Sequence, residues 1–376
     1  MVRVPHMRVD APRWCGTQPL LAAILAVAFL AGCVAPPPQR PPRTDPLALA
    51  APVHTQLTKI TTITTRLRRP SEVPQVVGQL QHYRVAPGET LLDIAREGGV
   101  GFRKLRDANP MIDEWEPRPG AELVVPSRWI LPRTTSRGLV VNIPETRLYV
   151  FPTDALPGDR VAILTWPIGI GTEEAPSPLG PFTVLSKDTY PTWVVPESIR
   201  RTMEKSRKVV PPGPDNPLGD FRIRLSRELY SIHGTNDPWT VGRLTTHGCI
   251  RLYPEDIAAL YPLVEHGTPG EFLYQPVKLG EKAGRIYVEV HQDVYRIFPD
   301  LERHAFAEIA TVGLTAQVDP ERLRAAVRAK TGIPIDVSRC AESPMDWLDD
   351  ERFAERSRGQ LVPVVTTVHS ADHAQE

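Results

Sequence analysis

A cysteine that follows a glycine and lies two positions before an arginine is the strongest chemical signal in this 376-residue sequence. Cysteine is a strong nucleophile only as the thiolate, so Cys249 needs a basic or cationic neighbour. On an extended backbone alternate residues share a face, which predicts that His247, Cys249 and Arg251 lie together. Arg251 is permanently charged and can favour the thiolate or hold a substrate carboxylate. Gly248 leaves space for substrate beside the nucleophile.

The candidate general base is His233, sixteen residues before the cysteine. Turn-forming residues lie between the two, so the imidazole can reach the sulfur and take its proton. Gly234 has no side chain that could orient this imidazole, so we expect a backbone carbonyl in that role. The backbone N–H groups of Gly248 and Cys249 are candidate donors to an oxyanion, and Thr246 is a candidate for substrate contact.

Two other interpretations of these residues are open at this point. Cys249, His233 and His247 could hold a structural zinc ion, although their spacing matches no usual finger pattern and a fourth ligand is not apparent nearby. Cys249 could also be a buried free cysteine close to unrelated core histidines. Taken alone, these residues would have the buried cysteine as their default reading; we expect no metal and no cofactor.

The His-Gly-Thr run at 233–235 and the Thr-His-Gly-Cys-Ile-Arg-Leu run at 246–252 together closely resemble the signature of L,D-transpeptidases with a YkuD-type catalytic domain. Further segments that resemble the family lie at 140–150, 167–171, 177–182 and 211–219. The resemblance implies that Cys249 attacks a peptidoglycan tetrapeptide stem between its third and fourth residues and releases D-alanine. It leaves open how His233 and His247 divide their roles.

An acceptor must then resolve the thioester on the cysteine. The resemblance implies either the diaminopimelate amine of a second stem, which forms a 3-3 cross-link, or the terminal lysine of a small outer-membrane lipoprotein. Water as the acceptor would make the protein an L,D-carboxypeptidase or a hydrolase on the same scaffold. These outcomes share all the catalytic residues, so the motif does not separate them. A non-catalytic wall-binding lipoprotein is the remaining alternative.

The segments around the motif predict a mainly β, YkuD-like catalytic domain over residues 136–277. Short apolar-alternating stretches between Pro and Gly turns are typical of an antiparallel β-sandwich. These stretches lie at 138–151, 161–168, 180–187, 221–232 and 270–277. One helix is predicted to begin at Pro254 and to pack under the site. The Pro-rich, charged stretch 191–218 is expected to form a flap over the cleft, with a plain surface insertion as the alternative.

Residues 81–127 predict a small β-α-α-β module, with Thr90 as the cap of its first helix. This order, with the motifs at 83–85, 87–91, 109–110 and 119–120, resembles the LysM domain. That family binds N-acetylglucosamine-containing glycan such as peptidoglycan. The resemblance implies sugar contacts in the loops after the first strand and after the second helix, by Pro87, Gly88, Thr90 and Asn109. A packing module without sugar affinity is the alternative.

Residues 1–32 are typical of a lipoprotein signal peptide. Arginines precede an apolar run at 20–30 that is too short for a membrane-spanning helix. The run ends in Leu30-Ala31-Gly32-Cys33, which resembles the lipobox of bacterial lipoproteins and implies that Cys33 is lipidated. The resemblance then implies a periplasmic protein anchored to the outer membrane of a Gram-negative bacterium. An ordinary secretory signal with a chance cysteine is the alternative.

Three further segments flank the predicted domains. Residues 33–80 are predicted to be a Pro-rich tether, extended and without an apolar face. At the other end, 278–345 is expected to be a short helical accessory region, with helices that start after Asp300 and Asp319. The remaining residues, 346–376, are expected to be a mobile tail.

Composition restricts the partners of the protein. The 44 basic and 44 acidic side chains give a formal net charge of zero, so no nucleic-acid partner is expected. Four cysteines in so long a chain do not make a disulfide scaffold. Cys340 has no assigned role, and a disulfide with Cys249 is an open alternative. The expected partners are therefore peptidoglycan, a membrane reached through the lipid anchor, and a small lipoprotein as acceptor.

Overall fold

The computed structural model describes residues 53–54, 56–66, 72–152, 160–202 and 208–339. The predicted signal peptide at 1–32, the lipidation site Cys33, Cys340 and the tail at 346–376 lie outside the described residues. In these described ranges, no helix is long and apolar enough to cross a membrane.

The described residues are mainly β, with six α-helices. The strands are β1 (Val53–His54), β2 (Thr62–Arg66), β3 (Val76–Gly78), β4 (Gln81–Arg84), β5 (Glu122–Val125), β6 (Arg128–Ile130), β7 (Gly138–Asn142), β8 (Arg147–Phe151), β9 (Arg160–Pro167), β10 (Ile170–Gly171), β11 (Gly180–Thr189), β12 (Trp193–Val194), β13 (Val209–Val210), β14 (Phe221–Leu225), β15 (Ser231–His233), β16 (Leu244–Thr246), β17 (Ile250–Arg251), β18 (Pro269–Leu273), β19 (Val277–Lys282), β20 (Arg285–Val290) and β21 (Ile335–Asp336). The helices are α1 (Leu91–Glu97), α2 (Phe102–Ala108), α3 (Glu197–Thr202), α4 (Pro254–Leu260), α5 (Leu301–Thr311) and α6 (Pro320–Ala329). Short 3-10 turns lie at Pro238–Thr240 and Tyr261–Leu263.

The largest sheet has nine strands in the order β17-β15-β14-β11-β18-β7-β8-β9-β2. The pairs β15–β17 and β18–β7 are parallel, so the prediction of an antiparallel sandwich is wrong in part and the sheet is mixed. Both parallel pairs are joined by long connections, which parallel pairing requires. The apolar-alternating stretch 221–232 forms two strands, β14 and β15, because Leu229 turns the chain with a φ of 68°.

Alternation along three neighbouring strands separates a core face of this sheet from a second face. Ile223 of β14, Ile232 of β15 and Ile250 of β17 are fully buried in one apolar cluster. Helix α4 begins at Pro254, as predicted, and adds Ile257 to the same cluster. The side chains between the isoleucines therefore point to the opposite face of the sheet, away from α4.

The module at 81–127 contains the predicted order of elements, β4-α1-α2-β5. Strand β4 pairs with β5 and also with β1, which gives the module a three-stranded sheet. Leu91 and Phe102 of the module belong to the same buried cluster as Tyr149 and Phe151 of the catalytic region. The module therefore shares a core with the catalytic region instead of hanging from it as a separate unit.

Polar contacts fix the same junction. Arg96 of α1 donates from Nε and Nη2 to the carboxylate of Glu255 at the start of α4, at 2.9 and 2.8 Å. The backbone N–H of Arg103 donates to the carbonyl of Gly242 at 3.3 Å. Gly242 has a φ of 78°, and a Cβ there would lie 2.3 Å from the backbone nitrogen of Phe102. The two backbones thus meet at a position where only glycine fits.

The prediction of a free tether over 33–80 is wrong for its described later part. Strand β2 pairs with β9 at the edge of the large sheet, and β3 pairs with β6. In β2 the β-branched side chains alternate between exposed and buried, with Ile63 in the core. A run of threonine and isoleucine fits a half-buried strand, so β-propensity overrides the linker character of the segment.

The prediction of a short helical accessory region over 278–345 is incomplete. Asp300 and Asp319 do cap helices α5 and α6, as predicted, with α6 followed by Lys330 in the left-handed region. Before and after them, however, β19, β20 and β21 form a three-stranded sheet. The two helices pack on this sheet around a core of their own.

A buried ionic network ties this C-terminal region to the rest of the fold. Lys278 Nζ lies 2.7 Å from Glu145 Oε2 and 3.1 Å from Glu289 Oε2, and Lys104 Nζ lies 3.1 Å from Glu289 Oε1. Each of these four side chains is almost completely buried. Breaking such a pair leaves an uncompensated buried charge, so the C-terminal region is an integral part of the fold.

Candidate active site

Cys249 and His233 are brought together by the parallel pairing of β15 and β17. In this register Ile232 lies opposite Ile250 and His233 lies opposite Arg251. Cys249 stands one position before β17, and its Sγ lies 3.8 Å from Ser231 Oγ. Because Ile232 and Ile250 face the core, the side chains of Ser231, His233, Cys249 and Arg251 share the other face of the sheet.

His233 is held as a neutral imidazole with one nitrogen free to act. Its Nδ1 lies 2.6 Å from the carbonyl oxygen of Gly234, and because a carbonyl only accepts, Nδ1 carries the proton and donates it. The carbonyl expected from the sequence is therefore present. Burial, together with the positive charges of Arg251 and Arg222, lowers the pKa of His233 to about 3, against the opposing effect of the Gly234 carbonyl contact. The unprotonated Nε2 is thus available to accept a proton.

Arg251 supplies positive charge next to the histidine and the cysteine. It lies opposite His233 in the sheet, and its Nη1 lies 3.5 Å from Thr240 Oγ1. Its buried Nε has no hydrogen-bond partner among the described residues. A buried guanidinium nitrogen without a partner is costly, so this group is placed to serve a thiolate or a substrate anion.

Thr246 and Gly248 shape the turn that carries Cys249. Thr246 Oγ1 accepts a hydrogen bond from the Gly248 N–H at 3.1 Å and donates one to the Cys249 carbonyl at 2.7 Å. Its hydroxyl is used within the turn, which argues against the predicted substrate contact by Thr246. The Gly248 N–H is used as well, which leaves the Cys249 N–H as the candidate oxyanion donor.

Gly248 is required by the backbone and by a neighbouring ring. Its φ is 100°, and a Cβ would lie 2.4 Å from Cε1 of Tyr230. The prediction that Gly248 leaves space for substrate is wrong, since Tyr230 fills that space. The same positive φ breaks the extended conformation, so the alternation that grouped His247 with Cys249 fails. His247 is exposed and makes no hydrogen bond within the described part of the chain.

Four groups on this face were missed by the sequence analysis. Ser231 is buried against the sulfur, and the Leu229 carbonyl oxygen lies 3.7 Å from Cys249 Sγ. Arg222 lies opposite His233 and Arg224 lies opposite Ser231 in the antiparallel pair β14–β15. The alternation Phe-Arg-Ile-Arg-Leu at 221–225 was the available signal, because it places both arginines on one face.

The predicted flap at 191–218 is described on both sides of residues 203–207, which are outside the described ranges. Strands β12 and β13 pair antiparallel, and the Asn216 side chain donates to the carbonyl of Pro191 at 2.7 Å. At its base, Gly219 packs so closely on Gly234 and Thr235 that a Cβ on Gly219 would lie 2.8 Å from the Thr235 nitrogen. This segment therefore starts and ends next to His233.

The predicted sugar-contact residues of the LysM-like module behave differently from one another. Pro87 and Gly88 are exposed in the turn after β4, with Gly88 at a φ of 85°. Thr90 and Asp93 form a capping box at the start of α1. Asn109 is buried, donates to the carbonyls of Leu105 and Val124, and accepts from the Val124 N–H, each at 2.8 Å. These three bonds use the amide of Asn109 inside the module, which argues against the predicted sugar contact by this side chain.

Glu145, Glu289 and His291 are close enough to one another to suit a metal ion. Both carboxylates are already bonded to lysine, Glu145 to Lys278 and Glu289 to Lys278 and Lys104, and His291 Nε2 lies 2.9 Å from Glu289 Oε1. Two ammonium groups among three potential ligands oppose a divalent cation electrostatically. This cluster is therefore a structural ion-pair network.

The site is a thiol on a mixed β-sheet with a neutral imidazole on the same face, which is the arrangement of enzymes that transfer acyl groups through a thioester. The family model of the YkuD L,D-transpeptidase catalytic domain matches residues 136–278. The Escherichia coli (strain K12) protein named "Probable L,D-transpeptidase ErfK/SrfK" is 34% identical over 286 residues, which are 72% of this chain and 89% of that protein. The chain belongs to the L,D-transpeptidase family, which acts on peptidoglycan stem peptides.

Two further similarities were found. "Probable L,D-transpeptidase YbiS" of Escherichia coli (strain K12) is 35% identical over 280 residues, covering 71% of this chain and 90% of that protein. The solved structure "L,D-transpeptidase from Mycobacterium smegmatis" is 23% identical, covers 41% of this chain and 63% of that chain, and has a TM-score of 0.26. The match to the two Escherichia coli proteins extends well beyond the catalytic domain of this chain.

Proposed function

We propose that this protein is a periplasmic L,D-transpeptidase that acts on peptidoglycan tetrapeptide stems through a thioester on Cys249. The observation that carries the proposal is the shared face of β15 and β17, which holds both the cysteine and His233, neutral and oriented by the Gly234 carbonyl. Family membership supplies the substrate class.

The proposed reaction begins with proton transfer from the Cys249 thiol to His233 Nε2. The sulfur then attacks the carbonyl between the third and fourth residues of the donor stem, and the Cys249 N–H donates to the oxyanion that forms. Collapse breaks the peptide bond, and the leaving D-alanine amine takes the proton from His233. The low pKa of His233 keeps the imidazole unprotonated before each step, so Nε2 has a free lone pair to accept a proton at neutral pH.

An acceptor amine then completes the transfer. His233 Nε2 takes its proton, the nitrogen attacks the thioester carbonyl, and the Cys249 sulfur leaves with the proton returned by the imidazole. The acceptor is the diaminopimelate of a second stem, which gives a 3-3 cross-link, or the terminal lysine of a small lipoprotein, which attaches that protein to the wall. Arg251 stabilises the sulfur as an anion in both half-reactions.

Two flanking features support a location of this chemistry at the cell wall. The module at 81–127 has the β-α-α-β order of a LysM domain, and its exposed turn at Pro87 and Gly88 is the candidate sugar contact. The lipobox-like sequence that ends at Cys33 supports an outer-membrane lipid anchor. Both features keep the active site within reach of peptidoglycan.

Mass spectrometry of the purified protein tests the proposal. A carbapenem should add its mass at Cys249, and the Cys249→Ala variant should gain none. Digested cell wall incubated with the enzyme should release D-alanine from tetrapeptide stems and gain either 3-3 cross-linked dimers or lipoprotein-linked stems, according to the acceptor supplied.

The same experiment separates the alternatives. Free tripeptides as the only product would show an L,D-carboxypeptidase or hydrolase on this scaffold. An unmodified Cys249 together with intact tetrapeptides and retained wall binding would show a non-catalytic wall-binding lipoprotein, and the proposal would then be wrong.

A further inference from the structure

The face of the sheet that carries Cys249 continues across two more strands as two parallel rows of side chains. One row contains the sulfur, two hydroxyl groups and a guanidinium group. The other row contains the arginine of the motif, the histidine and an arginine–aspartate ion pair. The first row is Cys249, Ser231, Arg224 and Ser186, and the second is Arg251, His233, Arg222 and Asp188. The active-site face therefore extends to β14 and β11.

Burial confirms that the two arginines of β14 belong to this face. Ile223 and Leu225, which flank Arg224, are buried in the same cluster as Ile232. Successive side chains of a strand point to opposite faces, so Arg222 and Arg224 point away from that cluster. Arg222 also lowers the pKa of His233 by its charge, which places it electrostatically within the site.

The two arginines differ in how their charge is balanced. Arg222 donates from Nε and Nη2 to Asp188 Oδ2 at 2.8 and 2.6 Å. Arg224 is exposed and forms no hydrogen bond or ion pair with any described residue. Its neighbours across the two adjacent strands are the serines Ser186 and Ser231, and its row contains no carboxylate. Arg224 is thus the uncompensated cation of the row that holds the nucleophile.

The spacing of strands places this cation at a useful distance from the sulfur. Two strand spacings separate the backbones of Cys249 and Arg224, which is about 9.6 Å. A guanidinium that extends from Arg224 over Ser231 therefore reaches substrate groups that lie close to a carbonyl held at the sulfur. Arginine binds carboxylates with two parallel hydrogen bonds, so it would fix orientation as well as charge.

We propose that Arg224 is the centre of a carboxylate-binding subsite for the donor stem. This inference rests on the proposed function, since it takes the tetrapeptide stem as the donor. The carboxylate bound is the terminal one of D-alanine or the side-chain one of diaminopimelate, which share the same chemistry. Arg224 holds the stem across Ser231, so that its scissile carbonyl meets Cys249, while Arg251 on the adjacent row serves the sulfur.

Steady-state release of D-alanine from soluble stem tetrapeptides tests the subsite. Wild type, Arg224→Gln, Arg224→Lys and the control Arg303→Gln are each assayed with the natural stem, with a stem amidated at its terminus, and with a stem amidated at diaminopimelate. Arg303 is an exposed arginine on α5 with no ion pair among the described residues, so its loss removes the same charge far from the sheet face. Unfolding midpoints confirm that the variants fold.

The expected result is a rise in KM of about tenfold for Arg224→Gln on the natural stem, with kcat nearly unchanged and a smaller rise for Arg224→Lys. One amidated stem should be used equally well by wild type and Arg224→Gln, and that stem identifies the carboxylate. Arg303→Gln should match wild type on all three substrates.

Two outcomes would overturn the inference, and they are distinguishable. If wild type releases D-alanine but Arg224→Gln has an unchanged KM, or loses the same factor on all three stems, Arg224 binds no carboxylate while the proposed function stands. If wild type forms no acyl adduct at Cys249 and releases no D-alanine, the proposed function fails and the subsite fails with it.

Discussion

The polar side chains on the sheet face around Cys249 differ from those in the loops of the LysM-like module in whether they have hydrogen-bond partners. In the module, Asn109 makes three internal hydrogen bonds and Thr90 is closed in a capping box with Asp93. On the sheet face, Arg251 Nε and the Arg224 guanidinium have no partner among the described residues. Both regions carry the polar residue types of a binding site, but only the sheet face leaves them available.

The comparison shows that residue type alone does not identify a ligand site. Buried polar groups in folded proteins nearly always have partners, so a group without one calls for an explanation. Asparagine and threonine also satisfy turns and helix starts, which is why they recur in loops that bind nothing. In the module, the exposed turn at Pro87 and Gly88 is free to contact a sugar through its backbone and shape.

The largest expected effect separates the two histidines of the motif. His233→Ala should slow acylation of Cys249 by a stem peptide about 1,000-fold, because the variant loses its general base. His247→Ala should slow it less than about tenfold, since His247 is exposed and outside the hydrogen-bonded group. Single-turnover formation of the acyl-enzyme, followed by mass, measures both rates. Equal decreases in the acylation rate of the two variants would contradict the conclusion that His233 belongs to the reacting group and His247 does not.

The second prediction concerns stability and pH, and it follows from the burial of His233. Its pKa is about 3 in the folded protein and about 6.5 when unfolded, so between these values the unfolded chain binds the extra proton. Stability is therefore level above pH 6.5 and falls as the pH decreases, by up to about 1.4 kcal/mol per pH unit from this group. Between pH 7 and pH 4 the loss should reach about 3 kcal/mol.

Urea unfolding at a series of pH values measures this dependence. His233→Gln replaces the imidazole with an uncharged amide of similar size and removes the proton uptake, so the stability of this variant should fall less steeply below pH 6.5. Wild type and His233→Gln with identical slopes would show that His233 is not buried as a neutral base.

Local sequence was enough to predict the elements that local interactions determine. The helix caps Asp300 and Asp319 and the carbonyl next to His233 all depend on residues close in the chain. The pairing of β2 with β9 depends on residues about 100 positions apart, and no local pattern specifies it. His247 lies outside the active-site face because Gly248 has a positive φ. The Tyr230 ring leaves no space for a Cβ at this position, so only glycine fits there.

The smallest of the predicted effects tests the other half of the comparison, the module whose polar groups are satisfied. Asn109→Ala leaves the Val124 N–H and two carbonyls without partners, so the protein should lose about 2 kcal/mol of stability. Pro87→Ala, in the exposed turn, should change stability by less than about 0.5 kcal/mol. Urea unfolding measures both, and binding to purified cell wall is measured well below the unfolding transition. Under those conditions Asn109→Ala should bind the wall as wild type does, because its side chain serves the fold and not a sugar. A variant of Asn109 that keeps full stability but loses wall binding would reverse the assignment and place the amide in a sugar site after all.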